Sequence, residues 1–169
     1  HTISNNKIGG TAANCGGTAY TVNLGTGTYA NRFIGINLSV GTVIPSSVQG
    51  NTIANHKFNS NSGTTAAPGV WCGIHLSAGN ANIGTVTGNT IGSTTGVDSI
   101  IVSNSATPST VYGINAAGTT YSISNNSVGA ITTKSITTAM VASVANSVSI
   151  LGINTTGGTT VTIDSNVVG

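Results

Sequence analysis

The chain has 169 residues, and only six of them carry a formal charge: four Lys or Arg and two Asp, with no Glu. Soluble domains are typically about 25% charged. Because Asp98 and Asp164 stand far apart in the sequence, they do not supply the paired carboxylates of a glycosidase. Four basic residues are too few to neutralise the phosphates of a nucleic acid. We therefore expect no catalytic residues, no metal site, no cofactor and no nucleic-acid partner.

Composition predicts an all-β protein rich in turns. Thr, Ser and Asn together supply 68 residues and Gly another 24, just over half of the chain. These residue types have poor helix propensity. Ile and Val are spread along the whole chain, which argues against disorder. No apolar run approaches the ~20 residues that a membrane helix needs, so we expect no membrane insertion.

The first predicted element, which we name the corner motif, recurs five times. A central Asn is preceded by Ile or Val three residues earlier and followed by Ile or Val two residues later. The copies are Ile3–Ile8, Val48–Ile53, Val86–Ile91, Ile123–Val128 and Ile163–Val168. Because the two offsets differ in parity, one straight strand cannot point both aliphatic side chains inward. The motif predicts a strand, a corner and a second strand.

The residue before each central Asn is the predicted corner. These residues are Asn5, Gly50, Gly88, Asn125 and Ser165. Gly and Asn tolerate the left-handed backbone conformation that a sharp corner needs, and Ser165 fits this role least well.

Two further strands are predicted between successive corner motifs. The first covers residues 99–103 in one copy and 139–142 in the next. The second contains an apolar residue, Gly, Ile and a polar residue, in the copies Ile34–Asn37, Cys72–His75, Tyr112–Asn115 and Leu151–Asn154. The alternation of Ile34, Ile36 and Leu38 predicts one apolar face on this strand.

Both motifs repeat at the same interval, which is the signature of a stacked-repeat architecture. The central Asn residues are 45, 38, 37 and 40 positions apart, and the glycines of the Gly-Ile motif are 38, 40 and 39 apart. We predict a parallel β-solenoid of about 4–5 coils, each of roughly 37–45 residues with three short strands. An alternative divides each period into two coils of about 20 residues. Residues 1–169 are interpreted as a single segment, and because the pattern begins within a repeat, as a fragment of a longer repetitive chain.

The two motifs resemble the parallel β-helix repeat of right-handed, pectate-lyase-like solenoids. The long Thr/Ser/Gly-rich period resembles repeats of large secreted bacterial surface proteins of the adhesin type, and the resemblance covers nearly the whole chain. It implies a right-handed coil and an extracellular or cell-surface location. Pectate-lyase-like enzymes hold calcium with clustered Asp, and this chain departs from that pattern because Asp98 and Asp164 fall in different repeats. This fold carries enzymes and inert stalks alike, so the resemblance is specific for fold and weak for function.

Stacking would place the central Asn residues in one column, which we name the asparagine ladder: Asn6, Asn51, Asn89, Asn126 and Asn166. Their amides can hydrogen-bond to each other and to the backbone of a closely stacked corner. We predict a structural role for this column in preference to ligand binding.

A second candidate is an outward Ser/Thr face beside the corner: Thr2, Ser47, Thr85, Thr87, Ser122, Ser124 and Thr162. Stacked Thr-x-Thr rows resemble the surface of ice-binding β-solenoids. Only Thr85 and Thr87 form a true Thr-x-Thr pair, while Gln49 and Asp164 interrupt the face. An ordinary solvated strand is the preferred interpretation, and ice binding is kept as an alternative.

A third candidate is an apolar column two residues before each motif glycine: Phe33, Trp71, Val111 and Ile150. Parity predicts that it faces away from the core, where it could bind sugars or lie beneath the preceding loop. Burial under the loop is preferred, and glycan binding is the second alternative function.

The thiols and imidazoles show no metal-ligand spacing. Cys72 takes a strand position that other copies fill with Ile, Tyr or Leu, which favours an unpaired, structural thiol; Cys15 lies in a Gly-rich loop. A disulfide between them stays open for a secreted chain. His56 and His75 are expected to be solvated.

Together these features predict a non-enzymatic extracellular β-solenoid that forms part of the stalk or fibre of a bacterial surface protein. The expected partners are further coils of the same chain or identical subunits stacked end to end, together with surface glycans. The near absence of charge suits such packing, because a charge repeated in every coil would face its own copy.

Overall fold

The computed structural model describes residues 1–22, 30–104, 108–135 and 148–169. These residues form four parallel sheets and one short 3-10 turn, Ala13–Cys15. The β-solenoid predicted from the repeats is therefore confirmed. The hand of the coil stays a prediction.

Each sheet collects one strand from each successive coil. Sheet 1 contains β1 (Thr2–Ser4), β5 (Ser46–Gln49), β9 (Asn80–Ile83), β13 (Thr120–Ser124) and β17 (Thr160–Asp164). Sheet 2 contains β2 (Lys7–Ile8), β6 (Thr52–Ile53), β10 (Thr90–Gly92), β14 (Ser127–Gly129) and β18 (Val167–Val168). Sheet 3 contains β3 (Tyr20–Val22), β7 (His56–Ser60), β11 (Ile100–Asn104) and β15 (Ile131–Ser135). Sheet 4 contains β4 (Phe33–Ser39), β8 (Trp71–Ala78), β12 (Ser109–Ala116) and β16 (Val148–Thr155).

The register shows that one sequence period makes one coil. Ile3 lies beside Val48 in sheet 1, and Ile8 lies beside Ile53 in sheet 2. The division into coils of about 20 residues is therefore wrong. Each coil has four strands. The corner motif contributes one strand to sheet 1 and another to sheet 2, as its strand–corner–strand pattern predicts, so the total of three strands for each coil was too low. The sheets make about three turns, slightly fewer than the 4–5 coils predicted.

The corner between sheets 1 and 2 has the predicted backbone conformation in four of the five copies. The φ angles of Asn5, Gly50, Asn125 and Ser165 are 58°, 64°, 59° and 53°. Gly88 is not left-handed, and in its coil Gly84 takes the positive φ, 80°.

The third copy of the corner motif was therefore misaligned. Its inward aliphatic residue was predicted to be Val86, but Val86 is 85% exposed and Ile83 is fully buried. Ile83 pairs with Val48 and Ile123 in sheet 1. Residues 84–88 form an insertion at this corner, and the chance match of Val86 to the motif concealed it.

The third strand was predicted correctly in one coil. Residues 99–103 overlap β11, which pairs with β15 in the next coil. The predicted partner, residues 139–142, lies outside the described residues.

The core fills the interior between the sheets with stacked aliphatic side chains. Sheets 1 and 2 contribute a run of buried Ile and Val that includes Val48, Ile53, Ile83, Ile91 and Ile123. Burial of one such side chain contributes about 1.5–3 kcal/mol, and each rests on the residues above and below it. Stability in this architecture therefore comes from contacts between neighbouring coils.

Candidate functional site

The central Asn side chains form a continuous hydrogen-bonded ladder across the corner. The amide Nδ2 and backbone N of Asn51 both donate to Oδ1 of Asn89, at 2.9 and 3.0 Å. Asn89 donates in the same way to Asn126 at 2.8 and 3.0 Å. The pairs Asn6–Asn51 and Asn126–Asn166 repeat this geometry. The predicted asparagine ladder is confirmed.

Each Nδ2 also donates to a backbone carbonyl in the preceding coil. The acceptors are O of Ile3, Val48, Ile83 and Ile123, at 2.8–3.0 Å from Asn51, Asn89, Asn126 and Asn166 respectively. Asn51, Asn89 and Asn126 are at most 1% exposed. Because every polar atom of these three carboxamides has a protein partner, they have no free group for a ligand, and the role of the ladder is structural.

The outward Ser/Thr face is interrupted in its third coil. Ser47 and Ser122 lie on either side of Asn82, not of Thr85. Thr85 and Thr87 belong to the corner insertion, outside β9. The position of the single Thr-x-Thr pair was therefore wrong, and the repeated hydroxyl row that favoured ice binding is broken.

Gln49 holds this insertion in place. Its amide nitrogen Nε2 donates to O of Asn82 at 2.9 Å. Its Oε1 accepts from the backbone N of Val86 and of Thr87, at 3.0 and 3.1 Å. In the sequence pattern, Gln49 stands out only as a break in the outward face. Nothing in its spacing distinguishes it from a solvated residue, because its role depends on an insertion in the next coil.

The apolar column faces the core, contrary to the prediction. Phe33, Trp71, Val111 and Ile150 do align in register, but Trp71 and Val111 belong to the core cluster and Phe33 packs against it. Ile150, in the last complete coil, is 45% exposed. The described part of the column therefore offers no exposed aromatic platform for a sugar.

The error came from a change of parity at the motif glycine. Ile74 and Trp71 both lie in the core cluster although they are three residues apart, whereas Cys72 lies outside it. A side chain added at Gly73 would also point inward, with its Cβ 2.6 Å from O of Gly113 and 2.9 Å from Ile91. Simple alternation through a glycine therefore does not predict the inward residue.

His56 and His75 are buried, although both were expected to be solvated. His56 is 2% exposed, and its Nδ1 accepts a hydrogen bond from the indole nitrogen of Trp71 at 3.0 Å. Its ring packs 4.3 Å from that of Phe33 and stacks on Tyr20 at 5.5 Å, while its buried Nε2 has no partner. No periodic signal marks this cluster, because Ile100 and Ile131 take the same position in later coils.

The burial of His56 should make stability depend on pH. Burial lowers its pKa from 6.5 to about 4, so the unfolded chain binds a proton more readily between these values. Stability contributed by the neutral ring is complete above about pH 6.5 and is lost as the pH falls towards 4, by up to about 3 kcal/mol. Urea unfolding at pH 7 and pH 4.5 measures the loss, and in His56→Phe most of it should disappear. An unchanged pH dependence in that variant would assign the effect to another group. His75 is one such group, because burial lowers its pKa as well.

The outer face of sheet 4 is covered by the segment 61–70. Arg32 donates from Nε to O of Gly69 at 2.8 Å, and the Tyr112 hydroxyl donates to O of Thr65 at 3.2 Å. The segment belongs to the second coil and is thus hydrogen-bonded to residues of the first and third coils. Beneath it, Cys72 is fully buried and donates to O of Ile74 at 3.3 Å.

Cys15 and Cys72, whose pairing the sequence leaves open, are both buried and free. Burial raises the pKa of the Cys72 thiol to about 12, so almost none of it is thiolate at neutral pH. We expect Cys72 to resist iodoacetamide in the folded chain, and both thiols to react after unfolding without reductant. Intact mass measures the labels, and an unfolded chain that gains none would indicate a disulfide.

The two aspartates lie in different coils of the described chain. Asp98 accepts a hydrogen bond from Oγ1 of Thr132, and Asp164 lies in the last strand of sheet 1. Among the described residues, no three His, Cys, Asp or Glu side chains group closely enough to hold a metal ion. The helical part of the described chain is likewise too short and polar to cross a bilayer.

A groove opens at each end of the solenoid. The residues lining the two grooves occupy equivalent positions in their coils. At the N-terminal end they include Ile3, Asn6, Ile8, Gly35 and Ile36, and at the C-terminal end Ile163, Asn166, Val168, Gly152 and Ile153. In the interior, each of these positions contacts its own equivalent in the next coil.

Comparison with protein-family models, with curated proteins and with solved structures gave no match. The β-solenoid fold is shown by the four parallel sheets. The pectate-lyase-like and adhesin-type resemblance rests on the repeat motifs and stays an expectation.

Proposed function

We propose that this chain is a segment of an extracellular, non-enzymatic β-solenoid that forms the stalk or fibre of a bacterial surface protein. The observation that carries the proposal is the uninterrupted coil-to-coil ladder, which runs from Asn6 to Asn166. Such an arrangement extends along one axis by about 4.8 Å per coil. Its role is mechanical: to hold other parts of an assembly apart.

Composition and burial support this role. The polar side chains of the corner are used in contacts between coils, and the apolar column that could have bound sugars lies in the core. The near absence of charge lets coils pack on further coils of the same chain or on identical subunits, and surface glycans are the other proposed partner.

Immunogold labelling of intact cells of the source organism tests the proposal. Antibodies against the folded 169-residue chain should label the outside of unpermeabilised cells, at a distance from the envelope. A cytoplasmic protein serves as the control and should be labelled only after permeabilisation. If the chain behaves like the cytoplasmic control, the proposal of a surface stalk is overturned.

A further inference from the structure

We propose that residues 63–69 form a strap over the outer face of sheet 4, and that this strap opens as a unit while the coils beneath it stay folded. Opening uncovers the Cys72 thiol and the ring of Tyr112. The device is independent of the proposed stalk function, because it needs no partner and no particular location.

The strap is anchored at both ends and lies outside the core between them. Before it, Nδ2 of Asn104 donates to O of Ser62 at 2.9 Å, and after it Val70 is fully buried in the core cluster. Residues 63–69 are not members of that cluster, and residues 65–67 are exposed. Lifting the strap therefore uncovers little of the core, and such local opening costs much less free energy than unfolding of the coils.

Hydrogen bonds from the two neighbouring coils hold the strap closed. Arg32 of the first coil donates from Nε to O of Gly69 at 2.8 Å and from Nη2 to O of Ala66 at 3.3 Å. The Tyr112 hydroxyl of the third coil donates to O of Thr65 at 3.2 Å. Because Thr65 and Ala66 are exposed, water can replace the strap in these bonds when it lifts.

Glycines stand at both ends of the strap, at Gly63 and Gly69. Gly69 has a left-handed backbone, with φ 72°, and lies so close to β12 that an added Cβ would clash with O of Thr110 and with the Tyr112 ring. The backbone N of Thr110 also donates to O of Thr64 at 3.0 Å. The closed strap is thus seated on sheet 4, and its terminal glycines supply the backbone freedom of a hinge.

The surface beneath the strap includes Cys72. In the register of sheet 4, Cys72 lies between Ile34 of the first coil and Tyr112 of the third, the two coils from which the strap is held. Cys72 is fully buried and Tyr112 is 6% exposed, yet neither belongs to the core cluster. Their cover therefore lies on the outer face of the sheet, where the strap runs.

The rate at which Cys72 is alkylated reports how often the strap is open. In the closed state, burial raises the pKa of this thiol to about 12, so it resists iodoacetamide. In the open state the thiol is solvated, and its pKa returns towards the usual value of about 8.5. Its thiolate then attacks the reagent, and an S–C bond forms as iodide leaves.

Cys15 is the internal reference for this measurement. It is 7% exposed and donates to O of Thr52 at 3.7 Å, in the connection between sheets 2 and 3. Opening of the strap leaves the cover of Cys15 in place, whereas unfolding of the coils exposes both thiols.

Two variants that release the strap test the inference. Arg32→Met removes both side-chain bonds from the first coil, and Tyr112→Phe removes the bond from the third coil while keeping the ring. Lys57→Met is the matched control, because it removes an exposed positive charge from sheet 3. Peptide mapping by mass spectrometry follows the alkylation of Cys72 and Cys15 separately, and circular dichroism confirms that each variant is folded.

We expect Arg32→Met and Tyr112→Phe each to raise the alkylation rate of Cys72 about tenfold, and the double variant to raise it about a hundredfold. The rate at Cys15 should stay that of the parent, and Lys57→Met should change neither thiol. In the parent, urea below the unfolding transition should accelerate Cys72 only weakly, because opening of the strap exposes little surface.

Two results would overturn the inference. If both thiols accelerate by the same factor in the variants, Cys72 is reached by unfolding of the coils and not by opening of the strap. If the rate at Cys72 is unchanged in the double variant, the strap does not control access to it. Should Tyr112→Phe fail to fold, Arg32→Met decides alone, because Arg32 is exposed.

Discussion

Replacing Gly73 by Ala should lower the free energy of unfolding by about 3 kcal/mol. The new Cβ would lie 2.6 Å from the carbonyl oxygen of Gly113 in the next coil and 2.9 Å from Ile91 in the core. The first contact is with backbone, which cannot move without separating two coils that the sheet holds together. Chemical denaturation of the parent and the variant measures the difference.

Gly41→Ala is the matched control for this substitution. A Cβ at Gly41 has no atom within 4 Å, so Ala should be neutral or stabilising by about 0.5 kcal/mol, because it restricts the unfolded chain. Equal effects at Gly41 and Gly73 would contradict the close approach of coils at the motif glycine.

Asn89→Ala should have an effect of similar size, about 3 kcal/mol. The substitution removes the Oδ1 that accepts from both N and Nδ2 of Asn51, and it removes the donor to O of Val48. These groups lie where water cannot replace the lost partner, since Asn51 and Asn89 are each 1% exposed. Thermal and urea unfolding both report the loss.

The terminal position of the same ladder provides the comparison. Asn6 is exposed, and Asn6→Ala removes one side-chain donor while its backbone N still donates to Asn51. We expect a change within about 0.5 kcal/mol. If Asn89→Ala is as mild as Asn6→Ala, the ladder does not stabilise the interior coils.

The repeats predicted the fold because each motif position has one physical requirement in every coil. Asn51, Asn89 and Asn126 satisfy the same buried backbone groups, and the left-handed corner selects Gly or Asn at Gly50 and Asn125. A requirement that recurs at fixed spacing is visible in one sequence.

Features that occur in a single coil could not be predicted in this way. The insertion at residues 84–88 could not be recognised, because Val86 matches the motif position that Ile83 fills in the structure. Gln49 binds only this insertion, so no other coil repeats its role. The burial of His56 depends on Trp71 and Phe33, which reach it from another sheet. The inward direction of Trp71 depends on how the strand bends at Gly73, and residue types alone do not specify this bend.

The central claim is that the chain is a mechanical element whose coils are held by their neighbours. Single-molecule pulling between residues 1 and 169 tests it most directly. We predict that the chain resists extension and then unfolds in steps, each releasing one coil of roughly 37–45 residues, or about 14 nm. Extension without resistance, as for an unstructured linker, would contradict the claim.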